Sequence, residues 1–204
     1  MILPKSFYQR DDVCLIAQEL LGKLLITQFD GIRCVGKIVE TEAYRGWGDA
    51  ACHSHRERRT NRTKVMYEPG GVAYVYLCYG IHNLFNIITN VEDRADAVLI
   101  RGIEPIEGVA AMQERRGMKT TKGELTAGPG RVSQAMGIDR SLYGIDLGGP
   151  PVWLEDAQST PANEIETGPR VGVAYAGKDA LLPWRYWVRG NGYVSKARPV
   201  YDVG

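Results

Sequence analysis

YVYLCYGIHNLFN, Tyr74–Asn86, is the stretch on which the fold turns. Apolar and aromatic residues run up to Tyr79, Gly80 interrupts them, and a second run returns through Leu84 and Phe85. Two such runs on either side of a glycine read as strands joined by a tight turn. The chain doubles back here, so the pairing is antiparallel. On the first strand Tyr74, Tyr76 and Cys78 share one face, and Val75, Leu77 and Tyr79 the other. A strand meant only for a core would use Phe, Val or Ile, because a buried phenol requires a hydrogen-bond partner. The chain has 11 Tyr and only 3 Phe, so the preference for tyrosine is general.

The same reading extends outward. DDVCLIAQELLGKLL reads as a helix capped by Asp11 or Asp12, with Val13, Ile16 and Leu20 as its apolar stripe and Gly22 at its end. KLLITQF and IRCVGKIVETEAY read as strands turning at Asp30-Gly31, and ADAVLIRGIEP as a further strand. EPIEGVAAMQERRG reads as a helix with Pro105 in its first turn and Gly117 beyond its end. TAGPGRVSQAMGI is a glycine-rich entry to a short helix, and PVWLED, RVGVAYA and WRYWVRG read as short strands. Hairpin follows hairpin, and helices do not alternate with strands. The expectation is one α+β domain, residues 1–204, built on an antiparallel sheet.

The chain of 204 residues is long enough to bury a core, with 44% hydrophobic and 24% charged residues. A net charge of +1 leaves nucleic-acid binding to local clusters of charge. Cys14, Cys34, Cys52 and Cys78 form no CxxC pair, and with three His a zinc site is not expected. The opening MILPKSFYQRDD turns polar within a few residues, and no apolar run is long enough to span a bilayer. The expectation is an intracellular chain with free thiols and no membrane association, cytoplasmic in a bacterium and nuclear in a eukaryote.

In GKIVETEAY, strict alternation places Ile38, Glu40, Glu42 and Tyr44 on one face and Val39, Thr41 and Ala43 on the other. Two glutamates roughly 7 Å apart can act as a general acid and base, or pair with cations on a solvated face. Downstream, DAACHSHRERRTNRTK carries Arg56, Arg58, Arg59, Arg62 and Lys64 against Glu57. The segment can meet a phosphate backbone or form a solvated loop. His53 within it can orient water or a phosphate, or fill a structural hydrogen-bond site. Tyr79 beside Gly80 sits at a hairpin tip, where an exposed ring can wedge between base pairs. Tyr76 can stack on a base and Asn86 can read its edge, or both can belong to the core. AGPGRVSQ offers backbone N–H groups at a helix start but lacks the ending of a phosphate-binding loop.

Taken in order, GKIVETEAYRG, AACHS, EPGGVAYVYLCYGIHNLFNIIT, AVLIRGIEPIEG, LTAGPGRVSQAMGI and RVGVAYAG closely resemble the alkyladenine DNA glycosylases, the 3-methyladenine DNA glycosylase family. The resemblance runs from about Leu20 to Val194. It implies a curved antiparallel sheet with flanking helices and no helix-hairpin-helix. It also implies hydrolysis of the N-glycosidic bond of alkylated or deaminated purines in double-stranded DNA. No cofactor or metal is expected; the oligomeric state is not readable from the sequence, though a monomer suits chemistry on one base. Glu42 matches the family's general base, Arg101 the arginine beside the attacking water and flipped nucleotide, and Val171 a main-chain neighbour of that water. Tyr44, His53 and Tyr76 match the residues that hold the flipped base. Asn86 matches the group that excludes guanine, and Tyr79 the intercalating wedge. Phosphate contacts by Arg56, Arg58, Arg59, Arg62 and Lys64 are inferred from charge alone. No lysine in these blocks stands out as a Schiff-base nucleophile, so strand cleavage is not expected. The competing readings are a damage-binding protein without turnover, a metal-dependent nuclease using Glu40, Glu42 and Asp49, and a two-carboxylate glycosidase acting on sugars.

Overall fold

The computed structural model describes residues 1–199. Among these residues, nine strands form one curled antiparallel sheet carrying a few helices, an α+β architecture. After the single turn α1 (Lys5–Tyr8), Asp12 caps α2 (Val13–Glu19), its carboxylate accepting from the N–H groups of Cys14 and Leu15 at 3.0 Å. The stripe of Val13, Ile16 and Leu20 is fully buried. β1 (Leu24–Phe29) and β2 (Ile32–Tyr44) are joined at Asp30-Gly31, both left-handed, as the favoured two-residue hairpin turn requires. β3 (Ala73–Cys78), β4 (His82–Thr89) and β5 (Asp96–Glu107) continue the meander.

The spatial order is β3-β4-β5-β2-β1-β7-β6, with β6 at Gly148–Gly149 and β7 at Val152–Glu155. β9 (Arg185–Val188) pairs with Glu40–Glu42 of β2, further along the edge that β1 occupies, and β8 (Ile165–Gly168) pairs with β9. β2 is therefore central, and its register against β5 shifts on both sides of Glu40. Val39 and Arg101 have no partner opposite them in this ladder. Such irregularities bend a strand and redirect its side chains.

The shift overturns strict alternation along β2. Ile38 packs in the main core with Ala43, so only Glu40, Glu42 and Tyr44 remain together on the other face. Thr41 faces α2 and donates to the Ala17 carbonyl at 2.8 Å. Two other expectations are corrected. Pro105 lies in β5, not in a helix, and α3 begins at Val109 after a left-handed Gly108. Pairing with Gly36 holds the proline in the strand close to a register shift, where a missing N–H is tolerated. RVGVAYA is not a strand: Arg170–Val173 is irregular and Ala174–Leu181 is a 3-10 helical segment. Its backbone groups serve the site instead of a ladder. α4 (Pro129–Met136) packs against β4, and a Cβ on Gly130 would stand 3.0 Å from the His82 ring.

Candidate active site

The tyrosine face of the β3–β4 hairpin opens on a cavity of about 710 Å³. Tyr74 pairs with Asn86 and Tyr76 with Leu84, so all four line one wall. The opposite face, with Val75, Phe85 and Ile87, is main core. Strand alternation thus answers the choice of tyrosine: the apolar face builds the core and the hydroxyl face lines a cavity.

Glu42 lies behind this cavity, fully buried, gripped by three residues that line it. The Tyr44 hydroxyl donates to Glu42 Oε2 at 2.7 Å, Arg101 Nη1 to the same oxygen at 3.2 Å, and the Val171 N–H to Oε1 at 2.7 Å. Arg101 also donates through Nε to Glu40 at 3.0 Å, so one guanidinium bridges the two glutamates. Glu40 is fully buried as well, and accepts from Arg185 Nε at 2.7 Å, the Ser195 hydroxyl at 2.8 Å and the Ser195 N–H at 2.6 Å. Burial alone would lower the Arg101 guanidinium, yet the Glu42 and Glu40 carboxylates outweigh it and hold the group above the usual arginine value. The solvated-face reading of the glutamates is therefore overturned. Of the carboxylates in the nuclease reading, Glu40 and Glu42 are paired with Arg101 and Asp49 with Arg170. Among the described residues, no group of three or more His, Cys, Asp or Glu is arranged to hold a metal ion.

His53 forms part of the cavity wall with Tyr76, their rings 4.7 Å apart edge to face. Its Nδ1 lies 2.9 Å from the Tyr74 hydroxyl. Arg62 Nη2 lies 3.2 Å from Nε2 and 3.5 Å from Nδ1, over the imidazole ring. Burial, then the Arg62 and Arg58 charges, lower the His53 pKa to about 4. The unfolded chain protonates this residue near 6.5. Between the two values the unfolded state binds more protons, so stability drops as pH falls from 6.5 toward 4 and is insensitive to His53 above 6.5. His53→Asn should remove about 2–3 kcal/mol of the loss between pH 7 and pH 4.5. Urea unfolding of both proteins at the two pH values checks this.

Tyr79 projects from the hairpin tip, 87% exposed. It is left-handed, with φ +51°, and the Ile81 N–H closes the turn onto the Cys78 carbonyl at 3.1 Å. A left-handed tyrosine costs about 1–2 kcal/mol that asparagine or glycine would largely avoid. Retaining one here points to a use for the ring outside the fold. Ile81 is also exposed, giving the tip a second apolar residue that the sequence reading passed over. Asn86 is buried, and its amide N–H groups are taken by the Tyr74 and Leu84 carbonyls at 3.1 and 3.4 Å. Its position in the wall is therefore fixed.

The basic loop divides. Arg59 pairs with Asp93 at 2.7 Å and covers the Tyr67 ring at 3.7 Å. Arg62 lies 4.6 Å over the Tyr76 ring and belongs to the cavity. Arg56 and Arg58 line an adjoining groove with Thr60 and Thr63, and Lys64 is exposed beside it. Arg116 and Arg131 also line the cavity, from the α3 and α4 side. Neither stood out in the sequence. Arg170, Arg185 and Ser195 were missed too; the only signal was two arginines, in PRVGV and WRYWV, inside otherwise apolar runs. All four cysteines are free thiols. Among the described residues, no helix is long and apolar enough to cross a membrane.

Comparison with known proteins gives the class. The sequence model of the methylpurine-DNA glycosylases matches residues 6–192. The chain belongs to this family, DNA repair hydrolases that act on N-glycosyl bonds. It is 44% identical over 197 residues to a protein of Natranaerobius thermophilus, covering 96% of this chain and 99% of that one. A Myxococcus xanthus protein is also 44% identical, covering 97% and 95%. A Bacillus licheniformis protein is 42% identical, covering 95% and 96%. Each is provisionally named a 3-methyladenine DNA glycosylase.

Proposed function

We propose that this chain flips alkylated or deaminated purines out of double-stranded DNA and hydrolyses their N-glycosidic bond with a water activated by Glu42. The abasic strand is left uncut. The observation that carries the reading is the buried Glu42 carboxylate, held by Arg101 and the Val171 N–H behind a cavity walled by Tyr44, His53 and Tyr76.

The glycosidic bond is unreachable in a stacked duplex, so the nucleotide must leave the helix, at a cost of a few kcal/mol that is least for damaged or mispaired bases. Tyr79 takes the vacated place. The base enters the cavity with Tyr44 on one side and His53 and Tyr76 on the other. His53 is neutral at physiological pH, so its ring puts no charge against a cationic alkylpurine. Asn86, anchored through its own amide, is a fixed wall against the exocyclic amine of guanine. Glu42 takes a proton from the water as its oxygen bonds to C1′, and the glycosidic electron pair departs with the purine. The carboxylate charge also opposes the positive charge that develops on the sugar. Purines alkylated at N3 or N7 leave readily because they are already cationic. Among the described residues no lysine lines the cavity, which supports hydrolysis without a Schiff base.

The test is single-turnover excision from duplexes carrying 3-methyladenine, hypoxanthine or ethenoadenine, with EDTA present and alkali added to reveal abasic sites. Alkali-dependent cleavage with no borohydride-trapped adduct supports the reading. A trapped adduct, or activity abolished by EDTA, would sink it. Tyr79→Ser should slow excision from duplex by about 10- to 100-fold and leave single-stranded substrate unaffected; equal losses on both would remove the wedge role. For the basic loop, Arg56→Ala and Arg58→Ala should each reduce the salt dependence of lesion-duplex binding by about one counterion. Arg59→Ala should leave that slope unchanged, because Arg59 is already paired with Asp93.

A further inference from the structure

The Arg170–Asp49 pair lies outside every role assigned so far. Both side chains are fully buried, and the pair is bidentate, Nη1 to Oδ2 at 2.6 Å and Nη2 to Oδ1 at 2.8 Å. The guanidinium also donates to the Ala43 carbonyl at 2.9 Å and to the Asp179 carbonyl at 3.1 Å. Asp49 in turn accepts from the N–H groups of Arg45 and Ala51, at 3.2 and 3.0 Å. One ion pair thus ties together three segments: the end of β2 that carries Glu42 and Tyr44, the loop that leads to His53, and the loop that carries Val171.

We propose that Arg170 is a positioning residue that sets the plane of the Tyr44 ring and aims the Val171 N–H at Glu42. This rests on the reading of Glu42 and Tyr44 given above. The guanidinium carbon lies 4.7 Å from the Tyr44 ring centre. Tyr44 lines the cavity and Arg170 does not, so the cation covers the face of the ring turned away from the base. Val171, next in the chain, donates its N–H to Glu42 at 2.7 Å. A merely stabilising role is poorly served here. Arg170 Nε is buried without a partner, and a buried ion pair is commonly no more stable than an apolar pair of the same shape. What an apolar pair would lose is direction: a planar fork that meets two carboxylate oxygens and two carbonyls fixes its plane, and so fixes the ring stacked on it.

The experiment uses the full chain with ring-labelled tyrosine, the Tyr44 signal being assigned with Tyr44→Phe. The double substitution Arg170→Met with Asp49→Leu removes both charges together, and Arg170→Lys keeps the charge but loses the planar fork. Each is compared with wild type by thermal unfolding, by the Tyr44 ring resonance without DNA, and by single-turnover excision. The expected result is a folded double variant with a shifted Tyr44 resonance and excision slowed by about 10²-fold. Arg170→Lys should lie between it and wild type. An unmoved resonance with unchanged excision in a folded variant would overturn the proposal. If the double variant does not fold, Arg170→Lys is judged by the same two readouts. Failure of wild type to release any base would instead count against the Glu42 reading, while the resonance would still decide whether Arg170 positions Tyr44.

Discussion

Glu42→Gln should reduce single-turnover excision by at least about 10³-fold while lesion-duplex binding stays close to wild type. The amide has the shape of the carboxylate but cannot take a proton from water, and it places no negative charge beneath the developing sugar cation. General-base catalysis alone contributes about 10²–10⁴. Binding should survive because His53, Tyr76 and Tyr79 make no bond to Glu42, and Tyr44 keeps its ring in the cavity wall. Arg101 also retains its bond to Glu40 and so keeps its place. Single-turnover rates and fluorescence anisotropy on one lesion duplex separate the two effects. Retained turnover would show that Glu42 is not the base. Loss of binding together with turnover would show that it holds the site together.

Glu40→Ala should have the opposite signature, with stability as the main casualty. Glu40 neutralises Arg101 and Arg185 and accepts both the hydroxyl and the N–H of Ser195, all in a region closed to solvent. Removing it leaves two guanidinium groups with only Glu42 between them. Breaking a buried ion pair by deleting one partner costs about 3–5 kcal/mol. For a chain of this size that is a fall in Tm of roughly 10 °C. Activity should fall too, through Arg101, but only in step with the loosening of the site. Calorimetry on Glu40→Ala and Glu42→Gln side by side gives the contrast. A Tm for Glu40→Ala within a degree or two of wild type would mean that water replaces the carboxylate.

Local order in this protein is legible in its sequence because local order depends on near neighbours. Asp12 caps α2 from one position away, and Asp30-Gly31 turns the hairpin because both residues tolerate a left-handed backbone. Alternation separates the tyrosine face of β3 from its core face without knowledge of any other strand. The antiparallel sheet follows from such hairpins, and Tyr79 at the tip could be found from the glycine beside it. The six matched blocks carry the family, since their order and spacing survive without the structure. The misreadings share one cause. Local propensity alone misplaces Pro105 and RVGVAYA, because a strand partner holds the first and a distant carboxylate claims the second. Ile38 changed sides because the register shift beside Glu40 arises between two strands.

The site itself was decided by tertiary structure. Glu42 meets the Val171 N–H across 129 residues of chain, and Glu40 meets Ser195 across 155. No periodicity links such positions. The same holds for the sign of the glutamate face: GKIVETEAY is equally compatible with a solvated surface, and only the arrival of Arg101 and Arg185 makes burial tolerable. Arg56, Arg59 and Arg62 are alike in sequence yet line a groove, pair with Asp93, and stack on Tyr76, respectively. A residue's type sets what it can bond to, and its neighbours set the local backbone. Which partner it meets is fixed only when distant segments pack and exclude water, because only then does an unpaired buried charge become too costly to keep.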